Sequence, residues 1–156
     1  MKIKFINAQQ NDLQKIVSTY NSTIASRVVT ADLEPVTVNS KQVWFDAHTP
    51  DKRPLWLVLI ENEYVGWMSF NSFYGRPAYD GTVEVSIYLE ESARGKGLGK
   101  ICLEKAFEVC PELNIKTHYE SLDIAKSKKI FYLCFSLPEE IVNADEALDN
   151  FLKKNK

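Results

Sequence analysis

Arg94-Gly95-Lys96-Gly97-Leu98-Gly99 separates two segments of clear but different period. Before it, Thr82 to Leu89 alternates, with Val83, Val85, Ile87 and Leu89 on one side, as a strand bordering a core does. After it, Leu98, Ile101, Cys102, Ala106, Val109 and Cys110 recur at helical spacing until Pro111 stops the run. The glycines therefore occupy a strand-to-helix junction. They let the backbone turn tightly and bring successive N–H groups to a common point. The following helix adds its unbonded first-turn N–H groups and the positive end of its dipole. Such a junction holds a phosphate or pyrophosphate, the alternative being a plain tight turn. A P-loop needs different glycine spacing followed by Lys-Ser or Lys-Thr. A dinucleotide fingerprint needs Gly-x-Gly-x-x-Gly within a parallel fold. Neither is present.

Upstream of this junction, Leu55-Trp56-Leu57-Val58-Leu59-Ile60 is a continuous apolar run, expected to be a central strand buried on both faces. Glu61-Asn62-Glu63 makes a turn, and Tyr64 to Phe70 returns as its antiparallel partner. The loop Phe73-Tyr74-Gly75-Arg76-Pro77-Ala78-Tyr79-Asp80-Gly81 combines turn residues with aromatics. At the start of the chain, Lys2 to Asn7 alternates as a short strand. Asn11 is expected to cap a helix carrying Leu13, Ile16, Val17 and Tyr20. A second helix is expected from Ser40 to about His48, with Val43, Trp44 and Ala47 inward. Downstream, a strand is expected from Ile115 to about Leu122 and a helix from Ala125 to Leu133. Pro138 to Lys156 reads as an amphipathic helix with Ile141, Ala144, Leu148, Phe151 and Leu152 as its apolar positions. The order is strand, two helices, an antiparallel meander, then strand–helix–strand: mixed α/β.

The 156 residues suit one domain spanning 1–156, with 136–156 as a helical tail. A net charge of −2 argues against a broad nucleic-acid footprint, which needs a basic surplus. No stretch is long and apolar enough to span a bilayer, and the N-terminus turns polar before any signal-like run develops. Cys102, Cys110 and Cys134 form no metal-ligand spacing, so no metal is expected, and a reduced, cytoplasmic setting is the simplest reading.

The spacing Arg94-x-x-Gly97-x-Gly99 resembles the acetyl-CoA signature of the GNAT acetyltransferases. Tyr20-Asn21-Ser22-Thr23-Ile24-Ala25, Asp32-Leu33-Glu34-Pro35-Val36, Arg53-Pro54-Leu55-Trp56, Phe73 to Tyr79 and Val83 to Leu89 all resemble the phosphinothricin acetyltransferase branch. The likeness covers roughly residues 1 to 117. It implies the GNAT fold: a mixed, mostly antiparallel sheet flanked by helices, here with an atypical C-terminal third. It also implies acetyl-CoA as co-substrate, a small amino acid or analogue as acceptor, and a homodimer.

Carried over residue by residue, the resemblance assigns Ile87, Tyr88 and Leu89 to the pantetheine arm. Arg94, Gly95, Lys96, Gly97, Leu98, Gly99 and Lys100 go to the pyrophosphate. Transfer would be direct, a neutral amine attacking the thioester carbonyl. Glu84 matches the carboxylate that removes the amine proton through water in that family's scheme; its alternative is a solvated strand carboxylate. A backbone N–H near Ile87 would polarise the thioester oxygen. Arg76 would bind the acceptor carboxylate as a fork, with Tyr74 and Phe73 as pocket walls. Trp44, Trp56 and Trp67 are assigned to packing, and neither His48 nor His118 has a partner marking it as catalytic.

After Thr117 the pattern departs from the family. The expected cofactor-binding asparagine falls on Asp123 or Ile124, and a Gly-Phe pair is replaced by Cys134-Phe135. The last two strands of the family are not visible. Tyr132 is the candidate general acid for the departing thiolate, or else a packed tyrosine. Three functions remain in contention: acetylation of a small amino acid's α-amino group, acetylation of another amine or a protein N-terminus, and acyl-CoA binding without turnover.

Overall fold

The computed structural model describes residues 2–26, 29–30, 32–72, 80–115 and 133–134. Five strands form one sheet in the order β1-β2-β3-β4-β5: Ile3–Asn7, Leu55–Ile60, Glu63–Ser72, Val83–Leu89 and Leu133–Cys134. The first four are antiparallel to their neighbours, and β5 runs parallel to β4. Helices α1 (Leu13–Ile24) and α2 (Val38–Asp46) lie between β1 and β2 in the chain, and α3 (Leu98–Val109) follows β4.

The apolar run of β2 serves both faces. Val58 packs with Met68, Phe70, Val83, Val85 and Ile87 against Cys102, Ala106 and Val109 of α3. Leu55 and Leu57 pack with Trp67, Tyr88 and Ile16 of α1 on the opposite face. The sheet is thus a filling between α3 on one side and α1 and α2 on the other. The turn joining β2 to β3 has positive φ at Glu61 (48°) and Asn62 (74°), the pair of left-handed residues that matches the twist of a two-residue hairpin.

Strand β3 carries a bulge: Val58 pairs with Gly66 but Leu59 with Tyr64. The extra residue inverts the alternation, so Tyr64 and Trp67 share a face although three positions apart. A Cβ on Gly66 would lie 2.3 Å from the Tyr88 carbonyl oxygen, so only glycine admits this close approach of β4.

Several expectations are corrected in detail. The first helix is introduced by a 3-10 turn at Gln10–Asp12, and the Asp12 carboxylate accepts from the Gln9 amide (2.9 Å); Asn11 is not the cap. Helix α2 starts at Val38, because Thr37 and Ser40 cap it reciprocally, each side-chain oxygen accepting from the other's amide at 3.1 Å. Val43 is 81% exposed and Ala47 is exposed too, the inward stripe being Lys41, Trp44, Phe45 and His48. Leu133, expected to end a helix, begins β5 instead, a strand the sequence did not reveal. The expected strand over 116–122, the rest of that helix and the C-terminal tail lie outside the described residues.

Candidate active site

At the glycine junction the structure is made by backbone. Gly95 and Gly97 hold φ of 72° and 76°, and a Cβ on either would meet nothing within 4 Å. Their left-handed conformation excludes bulkier residues, and the space before them is open. Gly97 is the N-cap of α3 and lends no side chain to it, so the first-turn N–H groups have no side-chain cap. Leu98 is buried in the core and can offer only its amide there, while Lys96 is exposed. Arg94 Nε donates to the Leu89 carbonyl at 3.0 Å, tying the junction to the end of β4. Its Nη2 is buried and has no hydrogen-bond partner among the described residues. A buried, unpaired guanidinium N–H in the segment leading into first-turn N–H groups that lack a side-chain cap fits an anionic ligand such as a pyrophosphate.

Ile87, Tyr88 and Leu89 lead into this junction. The pairs described between β4 and β5 are Val85 with Leu133 and Ser86 with Cys134, so these three residues lie beyond them. Their side chains are engaged elsewhere. Ile87 is in the α3-side core, and Tyr88 stacks on Trp67 (4.6 Å between centroids) and leans on Tyr20 (5.1 Å).

On the α1/α2 face the core turns polar towards the N-terminal end of β4. Asn71 lies across from Glu84, and Ser69 across from Ser86. Trp44 Nε1 donates to Asn71 Oδ1 at 2.9 Å, while the Asn71 amide makes long contacts to Ser69 Oγ (3.3 Å) and Ser86 Oγ (3.4 Å). Trp44 is therefore more than packing: it orients the side chain opposite Glu84. Glu84 itself is half-buried.

His48 Nδ1 lies 2.8 Å from the Trp44 carbonyl oxygen, which fixes the proton on Nδ1. Its Nε2 is buried without a partner in hydrogen-bonding geometry. Burial lowers the His48 pKa below the ordinary 6.5, opposed by the Trp44 carbonyl and the neighbouring Asn71 side chain. The imidazole is thus held neutral. Sequence reasoning passed over His48, Asn71, Ser69 and Ser86. One signal was available: β3 and β4 continue their alternation with Ser69, Asn71, Glu84 and Ser86, where a purely structural face would stay apolar.

The connection from α1 to α2 is pinned over this face. The Asn21 side chain brackets Val36, donating to its carbonyl and accepting from its amide, both at 2.9 Å. The Tyr20 hydroxyl meets Thr30 and Asp32. Below, Arg53 is 4% exposed and donates to Ser72 Oγ, the Lys52 carbonyl and the Asp80 carbonyl, each at 2.9 Å. It therefore ties together the two ends of the aromatic loop. Phe73, Tyr74 and Arg76 in that loop, and Tyr132, lie outside the described residues.

Comparison with known proteins places the chain in a family. The sequence model described as the Acetyltransferase (GNAT) family matches residues 17–129. YwnH of Bacillus subtilis (strain 168), whose name places it provisionally among phosphinothricin acetyltransferases, is 51% identical over 111 residues, 70% of this chain and 68% of that protein. An L-methionine sulfoximine/L-methionine sulfone acetyltransferase of Pseudomonas paraeruginosa (strain DSM 24068 / PA7) is 32% identical over 99 residues, 62% of this chain and 57% of that protein. Among solved structures, a GNAT superfamily phosphinothricin acetyltransferase from Sinorhizobium meliloti in complex with acetyl-CoA superposes with a TM-score of 0.64. It is 30% identical, covering 70% of this chain and 60% of that one.

Proposed function

We propose that this chain, which belongs to the GNAT acetyltransferase family, transfers acetyl from acetyl-CoA to the α-amino group of a small amino acid or analogue. The observation that carries the donor assignment is the glycine junction: two left-handed glycines facing open space, and a buried Arg94 N–H without a partner. Arg94 and the backbone of Gly95, Lys96, Gly97, Leu98, Gly99 and Lys100 would hold the pyrophosphate, and the backbone of Ile87 to Leu89 the pantetheine arm. Acetyl-CoA supplies the activated thioester carbonyl. The names of the relatives support acceptors of the phosphinothricin, methionine sulfoximine and methionine sulfone type.

In this reading Glu84 takes the proton from the acceptor ammonium through a water, so that a neutral amine reaches the carbonyl. The half-buried setting of Glu84, opposite an Asn71 held by Trp44, supports that role. The amide of Ile87 would stabilise the oxyanion. Arg76 would fork onto the acceptor carboxylate beside Tyr74 and Phe73, and Tyr132 would protonate the departing thiolate; the family resemblance supports these four. A homodimer in the cytoplasm belongs to the same reading, and sizing in solution tests the dimer.

The test pairs two measurements. CoA should raise the melting temperature by mass action. Thiol release from acetyl-CoA should then depend on phosphinothricin, methionine sulfoximine or methionine sulfone. A CoA shift without thiol release for any amine would reduce the chain to an acyl-CoA-binding module. No shift would remove the donor assignment.

A further inference from the structure

Lys41 lies on the inward stripe of α2, three residues before Trp44 and seven before His48. Its Nζ sits 4.9 Å from the centroid of the Tyr20 ring and 5.9 Å from that of Trp44. Those rings belong to one aromatic wall. Tyr20 leans on Tyr88, Trp44 meets Trp67 edge-on at 5.6 Å, and Trp67 stacks on Tyr88. The wall runs from the Lys41 ammonium to the residues of β4 assigned to the pantetheine arm, and so to the acyl end of the donor.

Lys41 forms no ion pair among the described residues, where the pairs are Lys52 with Asp80 and Lys105 with Glu108. Asp32 accepts from the Tyr20 hydroxyl at the far end of that ring and makes no ion pair with Lys41. Aromatic faces attract and orient a cation but accept no strong hydrogen bond in return, and an ammonium has three N–H donors to place. Lys41 is only half-buried, so those donors stay open to an oxyanion in place of water, and the chemistry of the proposed acceptors supplies one.

We infer that Lys41 is a specificity-determining residue that receives an anionic side-chain group of the acceptor, such as the phosphinate of phosphinothricin, the aromatic wall holding the ammonium in place. The inference rests on the proposed amino-acid acceptor and deepens it. A cation at this point favours acceptors whose side chain carries a carboxylate or phosphinate over those whose side chain is neutral. It also disfavours the protonated form of the incoming amine, which assists the step assigned to Glu84. Charge and stem have separable roles: methionine keeps the stem packed on Tyr20 and Trp44, whereas arginine keeps the charge and stacks on the same rings.

The experiment compares wild type, Lys41→Met and Lys41→Arg, each loaded with CoA, by calorimetric titration with phosphinothricin. Apparent Michaelis constants are measured in parallel for an amino acid with an anionic side chain and for its uncharged side-chain amide. The expected result is that Lys41→Met weakens anionic acceptors about tenfold or more, the scale of a lost charge-assisted hydrogen bond. The amide should be nearly unaffected, acetyl-CoA kinetics unchanged, and Lys41→Arg should restore most of the loss. Equal losses for acid and amide, or equal binding of the acid by wild type and Lys41→Met, would overturn the role of Lys41 while leaving the acceptor class standing. Failure of wild type to bind any anionic amino acid, with its CoA thermal shift intact, would overturn both together.

Discussion

The glycine junction and the polar face beneath α2 are built on opposite principles. At the junction, residues 94–99 are contiguous, and the useful groups are backbone N–H groups set by two positive φ angles. On the α2 face, Glu84, Asn71, Ser86 and Trp44 come from three separate elements and His48 from the residues just after α2, and they meet only through strand register and helix docking. A local device tolerates little change of residue type but needs little support from the rest of the fold. A composite one depends on distant contacts, and its parts fail by degrees.

That contrast is broken most sharply at Gly97. Valine there would be forced to positive φ, at a cost of about 1–2 kcal/mol, and would occupy the open space before the junction. The expected outcome is a chain that still folds but loses its CoA-induced melting shift altogether, and acetyl transfer with it. A retained shift would mean that the junction is only a turn. Glu84→Gln should do the reverse. Turnover should fall about a hundredfold while the CoA shift stays as in wild type; wild-type turnover across the pH range would remove the general-base role.

Arg53 probes the support beneath the composite side. Arg53→Ala removes three hydrogen bonds in a buried setting and leaves the Ser72 hydroxyl and two carbonyls seeking partners. A loss of about 2 kcal/mol in urea unfolding is expected, together with a raised Michaelis constant for the acceptor and little change for acetyl-CoA. An unaltered acceptor constant would uncouple the loop from recognition.

The smallest effect is a pH dependence at His48. Its folded pKa lies below 6.5 because burial penalises the charged ring. Above about 6.5 both folded and unfolded chains carry it neutral. As pH falls through that value the unfolded chain binds a proton first, so stability declines until the lowered folded pKa is passed. The difference in urea midpoint between wild type and His48→Asn should therefore shift in favour of the variant between pH 7.5 and pH 5. A constant difference would show that the ring is not held neutral.

Much of the glycine junction was legible in residue order. Glycines at an alternating-to-helical switch announce a strand–turn–helix junction because the sign of φ and the loose first-turn N–H groups are local properties. The meander and its tight turn at Glu61-Asn62 were legible for the same reason. Helix α2 starts two residues before the expected Ser40, because Thr37 and Ser40 cap it together. Its inward face was misread because Val43 is more apolar than Lys41, yet the sheet below offers aromatic rings that suit a cation. Strand β5 escaped notice because two residues carry no period.

What the sequence determined by itself is the set of elements whose reasons lie within a few residues: the hairpin, the glycine junction, the two-faced β2 and the family to which they point. Tertiary structure alone decided which polar groups meet. The bulge at Val65 and Gly66 inverts the alternation of β3, and no count along the chain reveals it. It is fixed by the approach of the Tyr88 carbonyl to a Gly66 that has no Cβ to resist it. Beyond that bulge Asn71 falls opposite Glu84 on the face that α2 covers, where Trp44 can reach it. Register and docking are properties of pairs of segments, and the free energy that selects them is shared among contacts far apart in the chain.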